Sequence, residues 1–204
     1  EPDGYLTFGS TVSLGLTPEA AISTATRLLG GGDGGRNETR QQAITAFTRA
    51  LARMPEVVEG VAVRLANQLG VALALAADAQ MVEAPEYVGT VKALCDGDRV
   101  RCLGGVSRAE TVRLYQTRKA LLNPLQWVAE PFGLVMVEAM ACGMPVLALD
   151  RGSPRELIAH GETGLVVRDL DELEEAVRRD ALAGMSEAAC RRRAEGFSLE
   201  RMVG

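Results

Sequence analysis

The chain has 204 residues, 47% of them apolar, enough to bury the core of one ordinary domain, and a single domain over residues 1–204 is expected. A net charge of −5 with scattered basic residues excludes a nucleic-acid footprint and a polybasic membrane patch. No apolar run reaches the roughly 18 residues that a membrane span needs. No charged-then-apolar leader opens the chain, so a cytoplasmic location is expected.

Tyr5 to Gly9 is a short β-rich run ending on glycine, as suits a first strand feeding a loop. Thr17-Pro18-Glu19 begins a helix expected to reach Leu29, with an N-cap hydroxyl, proline at the first helical position and an acid in the first turn. Gly30 to Glu38 is too glycine-rich to pack and reads as a flexible link. A second Ala-rich helix follows from Thr39 to Met54, with Ile44, Phe47, Leu51 and Met54 on one face. The two helices share the pattern of Ala21 to Arg27 and Ala43 to Arg49, through a local duplication or through chance likeness.

From residue 57 the alternation becomes regular. Val61 to Leu69 reads as a helix stopped by Gly70, and Val71 to Leu75 as a buried strand. Pro85 to Leu94 reads as a helix, Asp96-Gly97 as a turn, and Arg99 to Leu103 as a strand opening into Gly104-Gly105-Val106. Ser107-Arg-Ala-Glu110 is a capping box for a helix to about Arg118, and Ala120 to Pro124 is the next strand. Further on, Ser153-Pro-Arg-Glu156 reads as a second capping box, Gly161 as the end of that short helix, and Gly164 to Val167 as a strand. Asp169, Ser186 and Ser198 each start a helix. Continuous apolar strands alternating with helices of about ten residues mean an α/β fold, a parallel sheet covered on both faces. The ligand of such a sheet belongs at the carboxyl ends of its strands.

The most informative stretch is Glu130-Pro-Phe-Gly-Leu-Val-Met-Val-Glu138-Ala-Met-Ala-Cys-Gly143-Met-Pro145, followed by the apolar run Val146 to Leu149. It reads as loop, helix, turn and buried strand, with Gly143 where the helix stops and Pro145 where it cannot continue. Glu130 and Glu138 bracket a helix N-terminus. The N–H groups of Phe132, Gly133, Leu134 and Val135 are expected to lack partners there, and such an end attracts an anion.

These residues, with Gly152-x-x-x-Glu156 and Gly161-x-Thr-Gly164-Leu-Val, resemble the carboxyl-terminal half of retaining family-4 glycosyltransferases of the GT-B fold. The resemblance is good over residues 57 to 204 and loose over residues 4 to 9. It implies a Rossmann-like, doubly wound parallel sheet forming one GT-B half, with residues 15–56 as an irregular Ala/Gly-rich helical insertion. It further implies a domain that binds a nucleoside-diphosphate sugar, UDP- or GDP-linked, and transfers the sugar with retention. Carried over, Glu138 takes the ribose hydroxyls, the amides of Phe132, Gly133, Leu134 and Val135 face the diphosphate, and the Val106 backbone meets the base. Glu130 then stands by the transferred sugar as the catalytic carboxylate. No metal and no further cofactor are implied. The implied partner is an N-terminal acceptor-binding domain or a separate subunit, so the chain is expected to be half of an enzyme.

The sequence departs from that pattern in its phosphate loop. Relatives carry an Arg and a Lys after the first strand of this half, whereas Gly9 to Gly15 has neither and the first basic residue is Arg27. Such groups are worth on the order of several kcal/mol at a transition state that expels an anion. Two other readings therefore stand beside the transferase: a nucleotide-binding module of the same fold without turnover, and half of a nucleotide-sugar epimerase.

Each residue also has a plainer reading. Glu138 suits a solvated helix carboxylate, Glu130 a helix-entry acid, and Gly133 and Gly143 a turn and a C-cap. His160 suits a helix end where a cation meets the dipole, and Trp127 either a sugar face or a packing anchor. Cys95, Cys102, Cys142 and Cys190 have no Cys-x-x-Cys spacing and all read as reduced thiols.

Overall fold

A computed structural model of the chain describes residues 4–8, 58–76, 92–125 and 132–198. The helical segment expected within 15–56, most of the helix expected from Pro85, Trp127, Glu130 and the helix expected after Ser198 lie outside the described residues. The described elements, in order, are β1 (Tyr5–Phe8), α1 (Val58–Leu69), β2 (Leu73–Ala76), β3 (Val100–Gly104), α2 (Arg108–Thr117), β4 (Ala120–Asn123) and α3 (Leu134–Ala141). They continue with β5 (Val146–Leu149), α4 (Pro154–Leu157), β6 (Gly164–Val167), α5 (Leu170–Arg178) and α6 (Glu187–Glu195).

The strands form one parallel sheet in the order β3-β2-β1-β4-β5-β6. This is the doubly wound order of a Rossmann-like domain. Both faces are covered, so the strands are apolar throughout, and alternate residues serve opposite layers. Tyr5, Leu73, Leu75, Leu122, Leu147 and Leu149 pack with Val63 and Ala66 of α1 and with Leu173 and Val177 of α5. Leu6, Ala74, Leu121, Val146 and Ala148 face the other way, onto Tyr115 of α2, Met136 and Met140 of α3 and Cys190 of α6.

The caps follow local chemistry. Ser107 and Glu110 make the expected capping box on α2, with each side chain bonded to the other's backbone N–H. Asp169 caps α5 through Glu172 N–H, and Ser186 caps α6 through Ala189 N–H. Gly70 ends α1 at φ +67°.

Two expectations are corrected. Cys95 and Cys102 are not reduced thiols but a disulfide, with Cα atoms 6.3 Å apart. The Asp96 carboxylate accepts from the N–H groups of Asp98 (2.9 Å) and Val100 (2.8 Å), and this tight turn folds residue 95 back beside β3. Cys142 and Cys190 are free, and burial pushes both thiols up, Cys190 to about 11, so neither is poised as a nucleophile. His160 does not stand at a helix end: α4 stops at Leu157, and the His160 Nδ1 accepts from Val166 N–H at 3.1 Å, so that nitrogen carries no proton.

Candidate functional site

The strand order reverses between β1 and β4, because the chain winds outward to β3 on one side and to β6 on the other. A crevice at the carboxyl ends of β1 and β4 is where an open α/β sheet takes its ligand. Around that crevice stand the loop Gly105 to Ser107 after β3, Asn123 at the end of β4, the start of α3, and the loop Asp150 to Ser153 after β5.

The start of α3 is the anion-ready element. It has Gly133 as N-cap with no side-chain cap of its own, so its first turn keeps the partial positive charge of a helix N-terminus. The four amides named from sequence are not equivalent. Gly133 N–H donates to Ser153 Oγ at 3.3 Å, and Leu134 N–H donates to Phe132 C=O at 3.0 Å. The expectation of four open donors is thereby corrected. Among the described residues, no acceptor lies within hydrogen-bond reach of the Phe132 or Val135 amide.

Ser153 is the residue the sequence reading misassigned. A capping box at Ser153 requires extended backbone, but Ser153 is helical, at φ −67° and ψ −16°, and makes no cap to α4. Its side chain is 96% buried and turned toward α3, twenty residues earlier in the chain. The Ser153 hydroxyl therefore joins the loop after β5 to the anion-ready helix. Only the serine beside Gly152 hinted at this, and a local motif cannot report a partner twenty residues away.

Glu138 lies on the exposed side of α3, one turn inside its start, and its Oε2 accepts from the Tyr115 hydroxyl of α2 at 3.3 Å. Helical side chains lean toward their own N-terminus, so the Glu138 carboxylate lies over the turn that carries Leu134 and Val135. Leu134, four residues earlier on the same face, is 63% exposed. Tyr115 is 97% buried. Burial first, then the Glu138 carboxylate, push its phenol far above the usual tyrosine range, so it is a permanent donor. Sequence reasoning passed over Tyr115, whose only signal was an aromatic on a largely polar helix.

Val106 is half-buried between Gly104, at φ +72°, and the N-cap of α2. β3 and β4 are three places apart in the sheet, on the order of 14 Å at the usual strand spacing, which is comparable to an extended nucleoside diphosphate. Structure thus brings Leu134, Val135 and Glu138 onto one helix, with Phe132 and Gly133 leading into it, and sets Val106 at the far end of the same strand edge. At the end of β4, Asn123 Nδ2 donates to Met136 Sδ at 3.5 Å. Beside it the Asp150 carboxylate is held below the usual carboxylate range by Arg155, at 2.6 Å.

A separate cavity of about 450 Å³ lies at the opposite end, where α2 and α3 finish, and is lined in part by Lys119, Cys142, Gly143 and Arg191. Four of its charged groups are paired: Lys119 with Asp180, and Arg191 with Glu187 at 2.8 Å. Among the described residues no cluster of three or more His, Cys, Asp or Glu side chains is placed to hold a metal ion. No helix among them is long and apolar enough to cross a membrane.

The class defined so far is a doubly wound α/β domain with an anion-ready helix end at its switch point. Residues 87–195, more than half of the chain, match the family model of glycosyl transferases group 1, and the chain belongs to that family. A probable sucrose-phosphate synthase of Thermosipho melanesiensis is 38% identical over 74 residues, covering 35% of this chain and 18% of that protein. A D-inositol 3-phosphate glycosyltransferase of Actinosynnema mirum is 35% identical over 122 residues, covering 57% and 29%. The chain spans between 7% and 29% of the length of the curated relatives it matches.

Among solved structures, the sucrose-phosphate synthase of Thermosynechococcus elongatus superposes with a TM-score of 0.56 at 29% identity, over 68% of this chain and 38% of that one. Anabaena HepE in complex with UDP-glucose, at 21% identity, shares the fold with a TM-score of 0.55, over 68% and 41%. These neighbours are GT-B glycosyltransferases, and the α/β, doubly wound expectation holds.

Proposed function

We propose that this chain is the donor-binding half of a retaining glycosyltransferase and holds a nucleoside-diphosphate sugar across the crevice at β1 and β4. The observation that carries the reading is the pairing of an uncapped helix start at the switch point with a Glu138 carboxylate one turn below it on an exposed face. A diphosphate matches the first, and a ribose diol matches the second, since a carboxylate accepts two hydroxyl donors. The base then extends toward Val106. Glu130, which lies outside the described residues, is assigned by family resemblance to the transferred sugar, where a carboxylate stabilises positive charge developing at the anomeric carbon.

A sugar acceptor belongs to a partner domain or subunit, and transfer requires it. The family membership and the likeness to a sucrose-phosphate synthase support a transferase. Retention of configuration rests on the resemblance of the Glu130 to Pro145 stretch alone. A binding module without turnover remains the second reading, favoured by the absence of Lys and Arg from Gly9 to Gly15.

The test is a thermal-shift panel of UDP, GDP and ADP with the full chain. One nucleotide raises the melting temperature, because a ligand that binds only the native state stabilises it by about 2.7 kcal/mol at a hundred times its Kd. Glu138→Ala lowers the affinity for that nucleotide about tenfold or more. Calorimetric titration that detects no binding of any of the three would overturn the proposal. Binding without transfer, once an acceptor domain and acceptor are supplied, would select the second reading.

A further inference from the structure

We infer that Tyr115 is a positioning residue for the nucleotide: it holds one oxygen of Glu138 so that the other is presented to the ribose diol. The inference rests on the reading of Glu138 as the ribose carboxylate.

Three observations point this way. The Tyr115 hydroxyl donates to Glu138 Oε2 at 3.3 Å, across the seam between α2 and α3. Tyr115 is buried while Glu138 is exposed, so the rigid partner orients the free one. A glutamate on a helix surface otherwise samples several rotamers, and a ligand must pay to order it. A carboxylate tethered in advance through one oxygen escapes that cost and keeps lone pairs for a second donor. Third, Glu138 stands on the same short helix as the Val135 amide, so a carboxylate held by Tyr115 keeps diphosphate and ribose contacts at one spacing. Because burial and the neighbouring carboxylate keep the phenol protonated, the donor persists across the physiological range.

A merely structural tyrosine, placed only to fill the seam between two helices, makes a different prediction. It affects folding and all ligands alike, whereas a positioning residue affects only ligands that carry the diol.

The experiment uses the nucleoside diphosphate that stabilises the chain best and its 2′,3′-dideoxy counterpart, titrated calorimetrically into the full chain and into Tyr115→Phe. The phenylalanine keeps the ring and its packing and removes only the hydroxyl. The expected result is about a fivefold rise in Kd for the ribonucleotide and no change beyond twofold for the dideoxy compound, so the discrimination between them falls. In a Glu138→Ala background, Tyr115→Phe has no further effect on that ratio.

Equal weakening of both ligands, or weakening of neither, overturns the proposal while leaving the Glu138 assignment standing, provided Glu138→Ala itself reduces the discrimination. If Glu138→Ala leaves the ratio intact, the ribose assignment fails, and the role of Tyr115 falls with it. Because the ratio is measured within one variant, a loss of folded protein cancels from it.

Discussion

Ser153 shows how a single side chain is reassigned by its neighbours. Its local sequence describes a cap, yet its Oγ is spent on Gly133 N–H, a buried donor at the head of α3. Removing an acceptor from a buried N–H costs about 1–3 kcal/mol. Ser153→Ala is therefore expected to lower the urea unfolding free energy by that amount and to weaken nucleotide binding, since Gly133 no longer holds the head of α3 to the loop after β5. Unchanged stability and unchanged affinity would show that the contact carries no weight. Phe132 adds an apolar tie at the same place, edge-on to Phe197 with ring centroids 6.1 Å apart, and Arg193 lies over Phe197 at 5.1 Å.

Among the elements, β5 and β6 approach closely at Gly164. Gly164 begins β6 opposite Val146, and a Cβ built there would stand 2.1 Å from Val146 C=O, so the Gly161-x-Thr-Gly164 motif has a steric cause that needs no ligand. Gly164→Ala must push the strands apart. It is expected to destabilise by about 1–3 kcal/mol, read as a lower denaturation midpoint with an unchanged slope. The Cys95–Cys102 bridge ties the turn before β3 to the strand itself. Closing so short a loop is worth roughly 2–3 kcal/mol by the chain-entropy estimate. A dithiol reductant, or Cys102→Ser, should lower the melting temperature by the corresponding amount, and an identical melting curve with and without reductant would argue against the bridge.

For the whole molecule, pH tests how the core treats its phenols. Burial first, then the nearby Asp180 carboxylate, push Tyr5 up to about 12 from an ordinary value of 10. The raised value means that the folded state favours the neutral phenol. The stability linked to Tyr5 is fully present below pH 10 and is lost as pH rises from 10 to 12. Tyr5→Phe should flatten the alkaline loss of unfolding free energy across that window, with Tyr115, shifted in the same direction, supplying what remains. A Tyr5→Phe profile that falls as steeply as the parent would refute this linkage.

The parallel strands, the caps at Ser107, Asp169 and Ser186, and the stop at Gly70 were legible from residues alone, because each depends on partners within about four positions or on the apolar run that two-sided burial requires. The family was legible too, since the Glu130 to Pro145 pattern keeps its spacing along one chain segment. Tertiary structure alone decided the strand order, which βαβ winding permits in more than one form, and hence where the crevice lies. It also decided three pairings: Ser153 with Gly133, Tyr115 with Glu138, and Cys95 with Cys102. A helix cap is settled by the chain's own next turn, whereas the first two of these pairs form only after separate segments have packed, at distances that no local pattern encodes. The third is local, seven residues apart, but needs the Asp96 turn to lay residue 95 beside β3.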